Sequence, residues 1–221
     1  MPVGRLPGLR ESHVADPGRP LIEAVFRAYV ALAAFAGLRL GEAAGLQAAD
    51  IDFLGRQFDV RRQVQRGGKG RVEVRAPKYG SERTMFLAGS LVELLARHVE
   101  RQRPVGEASR WMFLGEGDLP PHQNTVGYRW RKACLGAEVG GITLHDLRHY
   151  YASGLIASGC DVVTVQRAIG HAKATTTLNT YSHLWPTAED KTRKAAEAML
   201  TEVLNPSSRA PVVPLSAAST A

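Results

Sequence analysis

The spacing of apolar residues predicts a mainly helical chain. Between Leu21 and Ala36 apolar residues recur at helical spacing, and Gly37 follows as a C-cap. A short helix is predicted to begin near Leu40 and to end before Asp50. The same pattern predicts six later helices: Leu91–Arg103, Asn124–Leu135, His145–Ser158, Asp161–Ile169, Ala174–Leu184 and Thr187–Val203.

Capping residues place several of these helix ends. Ser90 and Glu93 form an S-x-x-E capping box that predicts the start of the third helix, and Pro104 follows its end. Asp161 is predicted as an N-cap, and Gly170 is predicted to end the helix that Asp161 begins.

A change of period between residues 57 and 88 predicts strands. Three short β-type runs, Phe58–Val60, Val72–Val74 and Thr84–Leu87, are separated by turns at 67–70 and 78–81. This pattern predicts a small antiparallel sheet with two turns. The predicted fold class is therefore α+β, mainly α, with a three-stranded antiparallel sheet beside a helical core.

The two ends of the chain differ in composition from its middle. Residues 1–20 are rich in proline, glycine and charge and are predicted to be a leader or linker, whereas residues 205–221 offer little to bury and are predicted to be a disordered tail. The folded domain is thus expected over 21–204. No signal peptide or membrane span is evident, and Cys134 and Cys160 form no disulfide framework, so a cytoplasmic location is expected.

The net charge is concentrated in one segment. The chain carries +7, and residues 56–83 contain nine basic and three acidic residues, which accounts for +6 of it. Such a local field favours a polyphosphate partner such as nucleic acid, although a solvated, arginine-rich hairpin is an equal alternative on charge alone. The candidate nucleic-acid contacts in this segment are Arg66, Lys69, Arg71 and Arg83.

Two short motifs could carry chemistry. Arg39 lies where one predicted helix ends and the next begins, and Glu42 is its obvious partner, with further guanidinium donors open to an anion. A plain structural ion pair is the alternative. The segment 145–149 (HDLRH) is equally ambiguous by itself, because a His-x-x-Arg pair also suits a capped helix with solvated polar residues.

Order along the chain makes these motifs more specific. Gly170-His171 follows the HDLRH segment, and Tyr181 comes ten residues after His171. The chain resembles the tyrosine recombinase (phage integrase) family from Leu21 to Leu184. The residues that carry the resemblance are Arg39, Glu42, His145, Arg148, Gly170-His171 and Tyr181. The segments that look like the family's boxes are Gly37–Leu46, Thr143–His149, Val165–His171 and Thr176–His183.

The resemblance implies a mechanism. Tyr181 would attack the scissile phosphate of DNA to give a 3′-phosphotyrosine and a free 5′-hydroxyl, which the reverse step rejoins. Arg39 and Arg148 would hold the two non-bridging oxygens. His145 would assist proton transfer at the tyrosine, and His171 would hydrogen-bond the phosphate. The alternative for Tyr181 is an ordinary core tyrosine on an amphipathic helix.

A lysine completes the implied catalytic set. Family members use a lysine on a β-hairpin to protonate the departing 5′-oxygen; Lys78 occupies the matching place, and Lys69 in the neighbouring turn is its rival. The resemblance implies no metal and no nucleotide cofactor. His145 and His149 are spaced like metal ligands, but no third ligand is evident, so His149 is expected to support the fold.

The resemblance also raises an alternative function. Relatives usually carry an N-terminal helical domain that clamps the DNA, and the residues before Leu21 are too few for one. A catalytically impaired DNA-binding remnant and a relaxing topoisomerase of the same chemistry therefore remain open. Relatives also assemble on DNA as a tetrameric synapse. Thr187–Val203 is expected either to dock on a neighbouring copy or to fold back on its own domain.

Overall fold

The computed structural model describes residues 21–102, 111–185 and 188–204. They belong to two compact units that divide after Ser182. The predicted leader, the predicted tail and Pro104 lie outside the described residues. The α-helices are Leu21–Ala36 (α1), Leu40–Ala44 (α2), Gly89–Gln102 (α3), Gln123–Gly136 (α4), Leu144–Ala157 (α5), Val162–Ile169 (α6), Ala174–Tyr181 (α7) and Ala188–Leu204 (α8). The strands are Ile51–Asp52 (β1), Gln57–Val60 (β2), Gln63–Arg66 (β3), Val72–Arg75 (β4) and Arg83–Phe86 (β5).

The strands form two small antiparallel sheets, one of three strands in the order β1-β2-β5 and one hairpin of β3 and β4. The predicted fold class is confirmed. The predicted membership of the three-stranded sheet is wrong, because the run at Val72–Val74 pairs with β3 and β1 takes its place. β3 has a single apolar residue, Val64, between two glutamines, and β1 has two residues, so neither shows the alternation of a strand.

The helix ends follow local chemistry. Asp161 caps α6 by accepting from the N–H groups of Val163 (2.8 Å) and Thr164 (3.0 Å), and Gly170 ends this helix with a left-handed backbone (φ +62°), both as predicted. The predicted cap at Ser90 is wrong. The N–H groups of Leu91 and Val92 bond to the Ala88 carbonyl, so α3 begins at Gly89 and Ser90 lies inside it.

The core of the first unit lies between α1, the three-stranded sheet and α3, and α1 also packs along α5. Leu32, Phe58, Leu95 and Phe113 are among its fully buried side chains. Each stabilises the fold by roughly 1.5–3 kcal/mol. This packing brings the end of α1 at Gly37 beside α5, so that the two arginine motifs of the sequence meet.

The second unit contains α8, whose C-terminal half exposes four large apolar side chains: Met199, Leu200, Val203 and Leu204. The role expected for this helix in self-association stays a prediction. Throughout the described ranges, every helix is too short or too polar to cross a membrane.

Candidate active site

Three arginines converge on the C-terminal end of α6. The Arg83 Nε donates to the Ala168 carbonyl (3.2 Å), Arg148 donates to the Ile169 carbonyl, and the Arg39 Nη2 donates to the Gly170 carbonyl (2.8 Å). The last carbonyls of a helix have no partner within the helix and carry partial negative charge. Consecutive carbonyls of one helix end thus gather guanidinium groups from three distant parts of the chain.

The carboxylate of Glu42 forms ion pairs with two of these arginines. Its Oε1 lies 2.6 Å from the Arg39 Nη1, its Oε2 lies 2.9 Å from the Arg83 Nη2, and its side chain is 0% exposed. The expected Arg39–Glu42 pair is therefore present, with Arg83 as a second partner. Burial alone would raise the pKa of Glu42, but the Arg83 hydrogen bond and the charges of Arg83 and Arg39 outweigh it and lower this pKa to about 2.

Arg148 is the most deeply buried of the three arginines, at 2% exposure on α5. It donates to the Gly37 and Ile169 carbonyls and so ties the end of α1 to the end of α6. Burial, followed by the positive charge of Arg39, lowers the pKa of Arg148. A guanidinium nevertheless stays charged at neutral pH, so the pocket keeps its positive charge.

Tyr181 ends α7, and the residue is 4% exposed. Its hydroxyl lies 2.6 Å from the Nδ1 of His149. Burial raises the pKa of Tyr181, while the positive charge of Arg148 lowers it by a smaller amount. The phenol is thus as buried as a core tyrosine, but its polar end faces an imidazole next to the arginine cluster.

The two histidines of α5 differ from the sequence-based interpretation in which of them contacts the tyrosine. His145 is exposed, and its ring meets that of His149 edge to face with centroids 4.6 Å apart. His149, expected only to support the fold, contacts the tyrosine hydroxyl. His145, expected to assist the tyrosine, contacts the ring of His149. Within the described ranges, no group of three His, Cys, Asp or Glu side chains could hold a metal ion.

His171 directly follows the Gly170 turn. Its Nδ1 lies 3.0 Å from the hydroxyl of Thr177, which is fully buried on α7. Burial, then the charges of Arg148 and Arg39, lower the pKa of His171 to about 4, so the ring is neutral at neutral pH. When the threonine hydroxyl donates to Nδ1, the proton of the ring is on Nε2, which can donate to an anion.

Lys78 begins a 3₁₀ turn between β4 and β5, and its side chain is exposed. The turn is tied to the arginine cluster through Ser81. The Ser81 N–H bonds to the Lys78 carbonyl (3.2 Å), and the Ser81 Oγ accepts from the Arg39 Nη1 (3.1 Å). Lys78 thus belongs to a turn that touches the arginine cluster, whereas the side chain of its rival, Lys69, lies outside the described part of the chain.

The basic segment 56–83 contains two kinds of arginine. Arg66 and Arg71 are exposed near the β3–β4 turn, in keeping with a surface for DNA. Arg83, grouped with them as a DNA contact, is instead 8% exposed and paired with Glu42. It precedes the buried Met85 by two residues on β5, so both point to the same face of the strand. That alternation is the signal in the sequence that places Arg83 inside.

The fold is shared with known DNA-recombining proteins. The integrase of transposon Tn1549, solved in complex with transposon right end DNA, superposes with a TM-score of 0.63 at 22% identity, covering 83% of this chain and 61% of that one. The XerA recombinase superposes with a TM-score of 0.55 at 21% identity, covering 78% of this chain and 68% of that one. The fold is that of a tyrosine recombinase catalytic domain.

The sequence itself matches the model of the phage integrase family over residues 19–187, and the chain belongs to this family. It is 28% identical to the ICEBs1 integrase of Bacillus subtilis, over 76% of this chain and 47% of that protein. It is 33% identical to the tyrosine recombinase XerD of Mycobacterium tuberculosis, over 68% of this chain and 45% of that protein. The matched region thus spans less than half the length of these relatives.

Proposed function

We propose that this chain is a site-specific DNA recombinase that cuts and rejoins strands through a 3′-phosphotyrosine on Tyr181, in integration or excision. The observation that carries the proposal is the charge environment of Tyr181: a buried phenol at the end of α7 lies within the field of Arg148, which converges with Arg39 on the end of α6. A phenol ordinarily loses its proton near pH 10, so it attacks well only when a base or a positive field assists it.

Arg39 and Arg148 serve to bind the two non-bridging phosphate oxygens and to stabilise the charge that grows in the five-coordinate transition state. An arginine has five N–H donors. The hydrogen bonds described above account for three donors of Arg39 and two of Arg148, to Glu42, Ser81 and backbone carbonyls. Each guanidinium is therefore fixed in direction and still has donors for a phosphate.

Three further groups complete the cleavage step. His171 donates its Nε2–H to a phosphate oxygen, because its Nδ1 faces Thr177. Lys78 protonates the departing 5′-oxygen from its turn beside Arg39. His145 assists proton transfer from the exposed start of α5. The phosphotyrosine conserves the energy of the phosphodiester, so rejoining needs no nucleotide, and two guanidiniums can neutralise the phosphate without a metal.

The partner is double-stranded DNA, contacted through the exposed Arg66 and Arg71 of the hairpin together with Lys69. Recombination pairs two sites, so several copies of the chain act together as a tetrameric synapse. The exposed apolar side chains of α8 support self-association, since an apolar helix face is stabilised by burial.

A covalent trapping experiment tests the proposed reaction. The chain is incubated with nicked duplexes that carry the junction sequences of its own genetic element and lose a short fragment after cleavage. We expect a protein–DNA adduct that survives detergent and forms in the presence of a chelator. Tyr181→Phe should give no adduct, and Tyr128→Phe, which changes an exposed tyrosine of α4, should react normally. An adduct that persists in Tyr181→Phe would contradict the proposal.

A second candidate is DNA binding without cleavage. It is favoured by the finding that the matched region spans less than half the length of the curated relatives. This function predicts salt-sensitive binding to many sequences and no adduct on any substrate. The trapping experiment separates the two candidates, because binding and adduct formation are measured on the same duplexes.

A further inference from the structure

We propose that His149 is a catalytic residue that accepts the proton of Tyr181 during DNA cleavage. This inference deepens the proposed function and rests on it. The family resemblance assigned no chemistry to His149, and the structure alone puts this ring on the reacting oxygen.

The geometry is that of a nucleophile and its base. The His149 Nδ1 and the Tyr181 oxygen are 2.6 Å apart, within the range for proton transfer between a nucleophile and a general base. The ring centroids are 5.5 Å apart and the planes are inclined by 59°, so the contact is made by the polar edges of the rings and not by stacking. Tyr181 is 4% exposed, which leaves little room for water to take the proton instead.

Position along α5 explains why His149 takes this role and His145 does not. His145 and His149 are four residues apart on one helix face, with His149 one turn further from the exposed start. The edge-to-face contact between them, at 4.6 Å, sets His149 between His145 and the phenol. His145 is exposed, so it suits exchange of a proton with solvent after His149 has received it.

Ionisable side chains of the site surround the His149 ring. Arg148 is its neighbour in sequence, and His149 interacts electrostatically with His145, Asp146 and His171. Of these groups Asp146 is the single acid, and its carboxylate is bound by the Thr143 N–H (2.7 Å) and hydroxyl (2.7 Å) at the helix cap. The acid among these groups is therefore already bound at the helix cap.

The proton and electron pairs balance in each direction. In cleavage, the Tyr181 oxygen forms a bond to phosphorus, its proton moves to the His149 Nδ1, and the P–O5′ bond breaks. The departing oxygen takes a proton from Lys78. In rejoining, the 5′-hydroxyl attacks phosphorus, Lys78 recovers a proton, and the phenolate leaves as it regains the proton from His149.

Single-turnover cleavage of the trapping substrate by His149→Ala and His149→Asn tests this role. Asparagine can accept the phenol's hydrogen bond but cannot take its proton. We therefore expect both variants to cleave about 100-fold more slowly than the wild type, with unchanged DNA affinity. His183→Asn, at an exposed histidine two residues after Tyr181, should cleave normally. A merely structural role of His149 predicts that asparagine restores the wild-type rate, and that result would overturn the proposal.

A substrate with sulphur in place of the bridging 5′-oxygen separates the two proton transfers. A thiolate leaves without being protonated, so this substrate should restore cleavage by Lys78→Ala. It should not restore cleavage by His149→Asn, because the attacking phenol still needs a base. Equal restoration of both variants would place His149 on the leaving-group side and overturn the assignment.

A measurement without DNA separates failure of this inference from failure of the proposed function. In ¹⁵N NMR spectra of the full chain, neutral His149 should carry its proton on Nε2, with Nδ1 as the acceptor of the Tyr181 hydroxyl. A proton on Nδ1 would make His149 a donor and overturn the inference even if the chain cleaves DNA. Absence of any wild-type adduct would instead overturn the proposed function, and this assignment with it.

Discussion

The arginines of this chain occupy two contrasting regions. The inner cluster, comprising Arg39, Arg83, Arg148 and Glu42, is largely buried and makes hydrogen bonds at defined distances. The outer pair, Arg66 and Arg71, is exposed on the hairpin. Removing a guanidinium from water costs several kcal/mol unless it is paired, whereas an exposed one is solvated at no cost. The same residue type can therefore orient a phosphate in one region and attract a polyanion in the other.

Two kinds of group offset the cost of burying the guanidinium groups of the inner cluster. One is the Glu42 carboxylate, and the other is the set of carbonyls at the end of α6. The carbonyls belong to the backbone, and the Glu42 carboxylate accepts from the Arg39 backbone N–H (2.9 Å), so the guanidinium groups are held in direction before any phosphate arrives. Such preorganisation stabilises a transition state more effectively than mobile charges do.

The largest test of this contrast removes the central carboxylate. Glu42→Ala leaves Arg39 and Arg83 without their shared partner and should destabilise the fold by about 3–5 kcal/mol. The matched control is Glu73→Ala on the hairpin, which breaks the solvent-exposed pair with Arg75 (2.5 Å) and should change stability by less than about 1 kcal/mol. Urea unfolding measures both. Equal losses in the two variants would show that burial does not distinguish the regions.

Two glycines with nearly identical backbones provide the next test. Gly170 (φ +62°) and Gly117 (φ +61°) are both left-handed, but a Cβ on Gly170 would lie 2.6 Å from the Arg83 Nη1, whereas a Cβ on Gly117 meets open space. Alanine should destabilise the fold by about 1–2 kcal/mol at either position through the backbone. At Gly170 the displacement of Arg83 should add about 1–3 kcal/mol.

Urea unfolding of Gly170→Ala and Gly117→Ala gives that difference directly. The single-turnover cleavage rate should also fall in Gly170→Ala alone, because the Gly170 carbonyl binds Arg39. Identical stability losses would mean that Arg83 moves away freely and does not hold the cluster together.

A smaller effect concerns pH. The pKa of His171 is about 4 in the folded chain, below its ordinary value of 6.5. At a pH between these two values, His171 is protonated in the unfolded chain but neutral in the folded chain. Stability should therefore be lost as pH falls from 6.5 towards 4. His171→Asn should weaken this loss, and His183→Asn should not. Thermal unfolding between pH 7 and 5 measures the slope, and an unchanged slope in His171→Asn would contradict the assigned cause.

Arg71→Ala is expected to have the smallest effect on stability. This variant tests the outer pair. Stability should stay within about 0.5 kcal/mol of the wild type. If the hairpin contacts DNA as proposed, the slope of log binding constant against log salt should decrease in magnitude by about 1. A fluorescence titration of duplex DNA at several salt concentrations measures this slope. An unchanged slope would remove Arg71 from the DNA surface.

Local signals in the sequence were sufficient for part of this structure. The helix α6 was predicted from Asp161 and Gly170 because an N-cap side chain and a left-handed C-cap act within a few residues. The Arg39–Glu42 pair was predicted because its partners are three residues apart. Strand β3 and its pairing with β4 were not predicted, because β3 derives its structure from that pairing and not from its own pattern.

The sequence by itself determined most of the helices, both caps of α6, the position of the excess charge and the order of the candidate catalytic residues. Only the tertiary structure decided that Arg83 is buried against Glu42, that three arginines meet at the end of α6, and that His149 contacts Tyr181. Helix caps and charge runs are set by neighbours along the chain. The contacts of Arg83 and His149 join residues 41 and 32 positions apart, and packing of the helices and sheets brings them together.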